Sequence, residues 1–213
     1  MNRRFISGFI GVLSIVLNSC GNPDKPINLL DGEHATKWES AGVPGQGVVS
    51  VGSDGVLKVE AGKPLSGIVY REGGGFEIPV SDYRVEFEAR RIKGGDFFAS
   101  LTFPIGSKET CATLVLGGWG GSLVGISCLD DRDASENFTR ASIGFENGQW
   151  YRFRLVVTED HIKVWLKDSI IIDAPIKGKS ISMRPGDIEL CTPFGFATYW
   201  TSGEVRNLTL TRF

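Results

Sequence analysis

The clearest regularity in the chain is a strict two-residue alternation. Tyr83, Val85, Phe87 and Ala89 are interleaved with Arg84, Glu86, Glu88 and Arg90. Successive side chains of an extended chain point to opposite faces, so this order predicts a strand over Tyr83–Arg91 with one buried face and one wet face. Gln149–Val157 repeats the pattern, with Tyr151, Phe153, Leu155 and Val157 inward and Trp150, Arg152 and Arg154 outward. The two charged rows are suited either to pairing across strands as an exposed ladder or to forming a ligand-binding row. Shorter strand signals follow the same logic. Val48–Val51 and Val56–Glu60 flank Gly52-Ser53-Asp54-Gly55, a hairpin turn by composition, and Gly67–Tyr70 is a further strand. Ile162–Leu166 and Ser169–Ala174 meet at Lys167-Asp168, and Phe194–Thr198 and Val205–Phe213 end the chain. No window holds a 3.6-residue period between helix caps, so the expected class is all-β. About a dozen short strands at this spacing predict a jelly-roll sandwich of two antiparallel sheets.

Between these strands lies the stretch with the densest mixture of apolar and polar chemistry, Cys111–Asn137. Two apolar runs, Cys111–Leu116 and Ser122–Leu129, flank Gly117-Gly118-Trp119-Gly120-Gly121, which reads as a reversal between antiparallel strands. Glycines there allow the positive φ that a tight turn needs. Trp119, with two glycines on each side, is open to a packing partner or to a ligand. The second run leads into Asp130, Asp131, Asp133, Glu136 and Asn137, five acceptors within eight positions. That cluster is the leading candidate for chemistry. As a polar surface loop it would instead chelate Ca²⁺ weakly at most, since it lacks the glycine of an EF-hand loop.

Composition narrows the function classes. The chain has 213 residues and a formal charge of −2, with no Lys/Arg stripe, so no basic field draws nucleic acid. The 28 glycines, with no Gly-X-Y period, indicate many turns. Arg3-Arg4 followed by the apolar run Phe5–Leu17, thirteen residues, is too short to span a bilayer and reads as a leader. Leu17-Asn18-Ser19-Cys20-Gly21 resembles a lipoprotein lipobox with Asn18 off-pattern, so residues 1–19 are expected to be removed, Cys20 lipidated and 20–26 a tether. Cleavage without lipidation is the alternative. Loss of the two leader arginines leaves −4 on the mature chain. Export to an oxidising compartment permits disulfides. A reversal centred on Trp119-Gly120 sets Cys111 opposite Cys128, predicting a bridge and leaving Cys191 a buried thiol. There is no CxxC, and only His34 and His161, read as surface or cap residues, are present, so no metal site is expected.

Three segments carry a family resemblance. Leu29-Leu30-Asp31-Gly32 with Trp38, then Asn147–Arg154 through Ile162–Leu166, and finally Glu204–Leu210 resemble, in order, the opening, the central hairpin and the terminal strand of the bacterial 3-keto-disaccharide hydrolase-like domain. The resemblance frames residues 27–213 and implies a concanavalin A-like jelly roll acting on carbohydrate. The chain departs from the pattern at Gly95–Phe103, which lacks the arginine of the family's "SGI.LR" strand, and at Lys167-Asp168-Ser169, which replaces an Asn-Gly turn. Asp131-Arg132-Asp133-Ala134-Ser135-Glu136 also differs by one methylene from the laminarinase-type E-x-D-x-x-E.

Glycosidic cleavage commonly uses two carboxyl groups, one in proton transfer and one attacking or activating water. On a 3-keto sugar, a single carboxylate can instead abstract the acidified C2 hydrogen and start an elimination. Asp133, then Glu136 and Asp131, are the expected catalytic acids; Trp119, Trp200 and Asn137 are the expected sugar-binding residues; Trp38, Trp150 and Trp165 read as packing. The expected protein is an envelope-anchored enzyme cleaving glycosides or 3-keto-glycosides. Non-catalytic carbohydrate-binding and adhesion modules of the same fold are the alternatives. The partners expected are a carbohydrate and, through the lipid, a membrane.

Overall fold

The computed structural model describes residues 25–213. The expected leader, the lipidation site at Cys20 and most of the tether lie outside the described residues.

Two antiparallel sheets carry the fold. In spatial order the first contains Ser169–Pro175 (β13), His161–Leu166 (β12), Tyr151–Val157 (β11), Tyr83–Lys93 (β6), Ser202–Arg212 (β15), Leu57–Val59 (β4) and Val49–Val51 (β3), with Ile27–Asn28 (β1) pairing with β15. The second contains Ala141–Ser142 (β10), Leu123–Ser127 (β9), Ser107–Gly117 (β8), Ser100–Ile105 (β7), Gly195–Tyr199 (β14), Leu65–Tyr70 (β5) and Trp38–Ser40 (β2). Both alternating segments form the strands their pattern predicts and lie side by side. Phe153 pairs with Phe87 and Leu155 with Val85, and every residue expected to face inward on the two strands is buried. Phe87 stacks on Phe153 at 5.4 Å and meets Phe196 of the opposite sheet edge-on at 5.4 Å, so one aromatic cluster joins the layers.

The outward charged rows do form a ladder, but largely with β15 rather than with each other. Arg90 pairs with Glu204 at 2.7 Å and Arg206 with Glu88 at 2.6 Å. Trp150 lies between those two arginines, its ring centre 4.5 Å from Arg90 and 4.1 Å from Arg206, while Arg154 covers Trp165 at 4.3 Å. These indoles are held by cations, and exposed pairs of this kind contribute only about 0.2–1 kcal/mol each. His34 sits in the single helical turn Gly32–Ala35 with Nδ1 2.6 Å from the Tyr70 hydroxyl, and His161 contacts Asp160 at 3.0 Å.

The second sheet behaves differently. Every residue of β5, β7 and β9 is buried, so both of its faces are covered. Its outer face carries small side chains, among them Ser100, Thr102, Thr113, Ser127 and Ala197, which lets other chain segments lie close upon it. A 3₁₀ turn, Asp187–Cys191, covers β5 and β14; a Cβ on Gly67 would sit 2.6 Å from Cys191 Sγ, so only glycine admits that approach. Ala134, in the loop after β9, packs on Val115 and Leu123 at the other end.

One predicted feature is corrected here. Thr113 pairs with Ser127, where the expected register pairs it with Ile126. A one-residue shift exchanges the faces of a strand. Cys111 therefore stays on the β8 ladder, its thiol donating to Lys108 O at 3.3 Å and Pro193 O at 3.8 Å. Cys128 leaves the strand, and its N–H and C=O pair with Ser182 at 2.6 and 3.3 Å. Cys111, Cys128 and Cys191 are all free thiols.

Candidate functional site

After β13 the chain returns across the outer face of the second sheet as a strap. Asp130 N–H donates to Ser180 O at 2.8 Å, and the Asp130 carboxylate takes Lys179 Nζ at 2.7 Å and Ser180 N–H at 3.1 Å. The Lys179 hydrogen bond holds the Asp130 carboxyl below its ordinary pKa. Farther along, the Thr113 hydroxyl lies 3.6 Å from Met183 Sδ, and Cys191 seats on Gly67. Burial pushes the Cys191 thiol up to about 12, and burial, followed by Glu109, pushes Cys111 up to about 11.

Strap and sheet enclose a cavity of about 440 Å³, within the roughly 300–1,000 Å³ typical of small-ligand sites. Its floor is the outer row of the sheet: Leu65, Ser100, Thr113, Val115, Ser127 and Tyr199. Alternation along the strands puts these side chains outward, and the small ones among them, Ser100, Thr113 and Ser127, leave the space. Arg184, Pro185, Gly186, Asp187 and Ile188 of the strap form one wall, and Asp96, Phe97 and Trp119 form another.

Trp119 stands where its glycine neighbours predict, at the β8–β9 reversal, with φ 49° and 46% exposure. Asp96 fixes this turn. Its Oδ2 accepts from Gly120 N–H at 3.1 Å, its Oδ1 accepts from Phe97 N–H at 2.8 Å, and its own N–H donates to Thr201 Oγ1 at 3.0 Å. Behind it lies Arg91, only 7% exposed and, among the described residues, with no carboxylate partner. Arg91 donates to Asn147 Oδ1 at 2.8 Å, to Phe145 O, and to Asp96 O and Gly121 O at 3.5 Å each. Three rim loops thus converge on one buried guanidinium. On the facing wall, Arg184 Nη1 donates to Asp133 Oδ2 at 2.9 Å, and its guanidinium stands 5.2 Å from the Trp119 ring centre.

The predicted acidic cluster is therefore divided. Asp133 is 18% exposed by side chain and accepts from Ser135 N–H at 2.8 Å and Ser135 Oγ–H at 2.6 Å as well as from Arg184, so it reaches the cavity only through Arg184. Asp131 and Glu136 are exposed and outside the cavity lining. Asn137, expected to bind sugar, is buried. Its Nδ2 donates to Ile126 O at 2.7 Å and Arg132 O at 3.0 Å, and its Oδ1 accepts from Thr139 N–H and Oγ–H at 2.9 and 2.6 Å. Its hydrogen-bonding capacity is spent on the loop, which corrects that expectation. Trp200 is 54% exposed, directly after the floor residue Tyr199. Among the described residues, no three His, Cys, Asp or Glu side chains gather as a metal site requires.

Sequence reading missed Asp96, Arg184 and Asp187. Gly94-Gly95-Asp96 and Pro185-Gly186-Asp187, both Gly-Asp turns beside apolar residues, were the available signals.

Known proteins agree with this architecture. The β-glucanase of Bacillus licheniformis superposes with a TM-score of 0.55 at 11% identity, over 92% of this chain and 100% of its own. The carbohydrate binding module CBM66 from Bacillus subtilis does so with a TM-score of 0.51 at 15% identity, over 82% and 94%. At such identities the likeness establishes the fold, a concanavalin A-like sandwich. No curated protein matches the chain significantly by sequence. The model of one family, the 3-keto-alpha-glucoside-1,2-lyase-like domain, matches residues 25–199. With more than half of its length matched, and with the fold to accompany it, the chain belongs to the 3-keto-alpha-glucoside-1,2-lyase-like domain family.

Proposed function

We propose that this domain binds a saccharide in the cavity on the outer face of its seven-stranded sheet and cleaves a 3-keto-glycoside there, held at the bacterial envelope by a lipid on Cys20. The observation that carries the reading is the exposed indole of Trp119 at the wall of a cavity that also holds two carboxylates and a guanidinium. An indole offers its face to the apolar side of a pyranose. The family's name supports the 3-keto chemistry.

In that chemistry Asp187 is the base. Both oxygens of Asp96 are engaged by main-chain N–H groups, whereas Asp187 is exposed and has no ion-pair partner among the described residues. The Asp187 carboxylate takes the C2 proton, whose acidity comes from the C3 ketone. The C2 electron pair, delocalised onto the ketone oxygen, then forms the C1–C2 double bond as the C1–O bond breaks, and the aglycone leaves on that oxygen, which takes up the proton held by Asp187 and so restores its carboxylate. Water adds across the double bond to complete hydrolysis. Arg184 stabilises the developing enolate oxygen, and Asp133 holds Arg184 against Trp119.

The test is turnover of a nitrophenyl 3-keto-glucoside alongside binding of the unoxidised glucoside. Asp187→Asn is expected to lower kcat by about 10²- to 10⁴-fold with binding nearly intact. Trp119→Ala weakens binding, Asp133→Asn produces a smaller kcat loss, and Glu136→Gln has no effect. Wild-type turnover by Asp187→Asn refutes the assignment of the base. A second reading has one observation in its favour: a two-carboxylate glycosidase needs a pair of free acids, and Asp187 is the one uncommitted carboxylate in the lining. Sugar binding without cleavage of any glycoside would make the domain a carbohydrate-binding module.

A further inference from the structure

The cavity changes character with depth. At its mouth stand the exposed side chains of Trp119, Arg184 and Asp187, with half-buried Asp96 beside them. Its floor is buried and, in what it offers a ligand, largely apolar. Leu65 and Val115 are 6% and 5% exposed, and Phe97 packs against both of the apolar clusters that contain them. The Phe97 and Tyr199 rings lie 5.6 Å apart, tilted by 37°. The three floor hydroxyls already have partners inside the protein. Ser100 Oγ accepts from Leu116 N–H at 3.3 Å, and Ser127 Oγ lies 3.3 Å from Cys128 Sγ. Thr113 Oγ1 stands 3.3 Å from Thr102 Oγ1 and donates to Met183 Sδ at 3.6 Å. A sugar ring on this floor would bury hydroxyls that find nothing to bond, at a cost for each one, whereas an arene has none to lose.

We infer that the buried floor of the cavity takes the aglycone and that this aglycone is an aromatic ring, so that the substrate class is an aryl glycoside rather than a disaccharide. This rests on the glycoside reading of the cavity, which puts the sugar at the mouth beside Asp187. The leaving chemistry agrees. Among the described residues of the lining, Asp187 is the one uncommitted carboxylate. A phenolate is a much weaker base than a sugar alkoxide, so it departs with less help from an acid.

Isothermal titration of the full protein with methyl, phenyl and glucosyl glucosides, in both anomers and unoxidised, reads binding with no bond broken. At least one phenyl glucoside is expected to bind about tenfold tighter than its methyl counterpart, with the disaccharide gaining about twofold at most. Val115→Thr keeps the branched shape of the side chain but sets a hydroxyl on the floor, and so cuts the phenyl-to-methyl affinity ratio to about threefold or less. Methyl and phenyl glucosides of equal affinity, a disaccharide that binds as tightly as the phenyl compound, or a ratio untouched by Val115→Thr would each overturn the aryl class while the cavity reading stands. If no glucoside binds, or if phenol alone binds as tightly as phenyl glucoside, the cavity reading falls and takes the inference with it.

Discussion

Arg91 offers a test in which the conservative substitution does more harm than the radical one. Its guanidinium makes two close hydrogen bonds, to Asn147 Oδ1 at 2.8 Å and to Phe145 O, and two long ones of 3.5 Å to Asp96 O and Gly121 O. Bonds to a charged donor contribute about 1.5–3 kcal/mol each, so the close pair supplies roughly 3–6 kcal/mol and the long pair little. Against this stands the burial of a cation without a carboxylate, which costs several kcal/mol. Arg91→Met removes both terms, and with Asn147 and Phe145 O left unpaired the net loss is about 1–2 kcal/mol. Arg91→Lys keeps the buried charge, but an ammonium is a point donor and cannot reach loops on three sides. With one close bond gone and the burial cost retained, its loss is about 3 kcal/mol. Urea denaturation followed by far-UV circular dichroism measures both variants, with a lower midpoint at unchanged slope as the expected form. A lysine variant within about 0.5 kcal/mol of wild type, or a methionine variant less stable than the lysine one, would refute the reasoning.

Gly203→Ala is expected to destabilise by about 3 kcal/mol or more, because the added Cβ would lie 1.8 Å from the Phe98 carbonyl oxygen, and that main chain cannot yield cheaply; thermal melting reads it. Cys111, Cys128 and Cys191 should resist a disulfide reagent at pH 8 in the native protein and react on unfolding, and rapid native labelling of Cys191 would contradict its burial. The same burial predicts a pH effect. The folded thiols titrate near 11 for Cys111 and 12 for Cys191, above the roughly 8.5 of an unfolded cysteine. Their contribution is therefore intact below about pH 8.5 and lost as pH rises toward 11–12, so Tm should fall over that window and Cys191→Ala should flatten the slope. Cys20→Ser should abolish acyl labelling in cells, since stable attachment would come from acyl chains; unchanged labelling would remove the lipid-anchor proposal.

Much of the fold is written in local pattern. The alternation at Tyr83–Ala89 and Tyr151–Val157 specifies strands and their buried faces whatever their neighbours are, because the period of an extended chain is a property of the backbone itself. The glycines around Trp119 likewise place a reversal and an exposed indole. What the pattern does not carry is anything that depends on a second segment. A register off by one residue parts Cys111 from Cys128, because side chains two apart share a face and those one apart do not. The outer face of the second sheet reads as small and partly polar, which suits solvent as well as it suits a covering strap, and only the path of residues 177–194 decides between them. That path brings Arg184 to Asp133 and Trp119 and sets Asp187 opposite Asp96 across a cavity, joining residues about ninety positions apart in the sequence. The acidic run Asp130–Asn137 shows the same limit from the other side. Its composition determined that the loop would be rich in acceptors, but whether each acceptor meets a ligand, an arginine or its own backbone is settled by packing, since a buried polar group must take the partner that the tertiary fold leaves within reach.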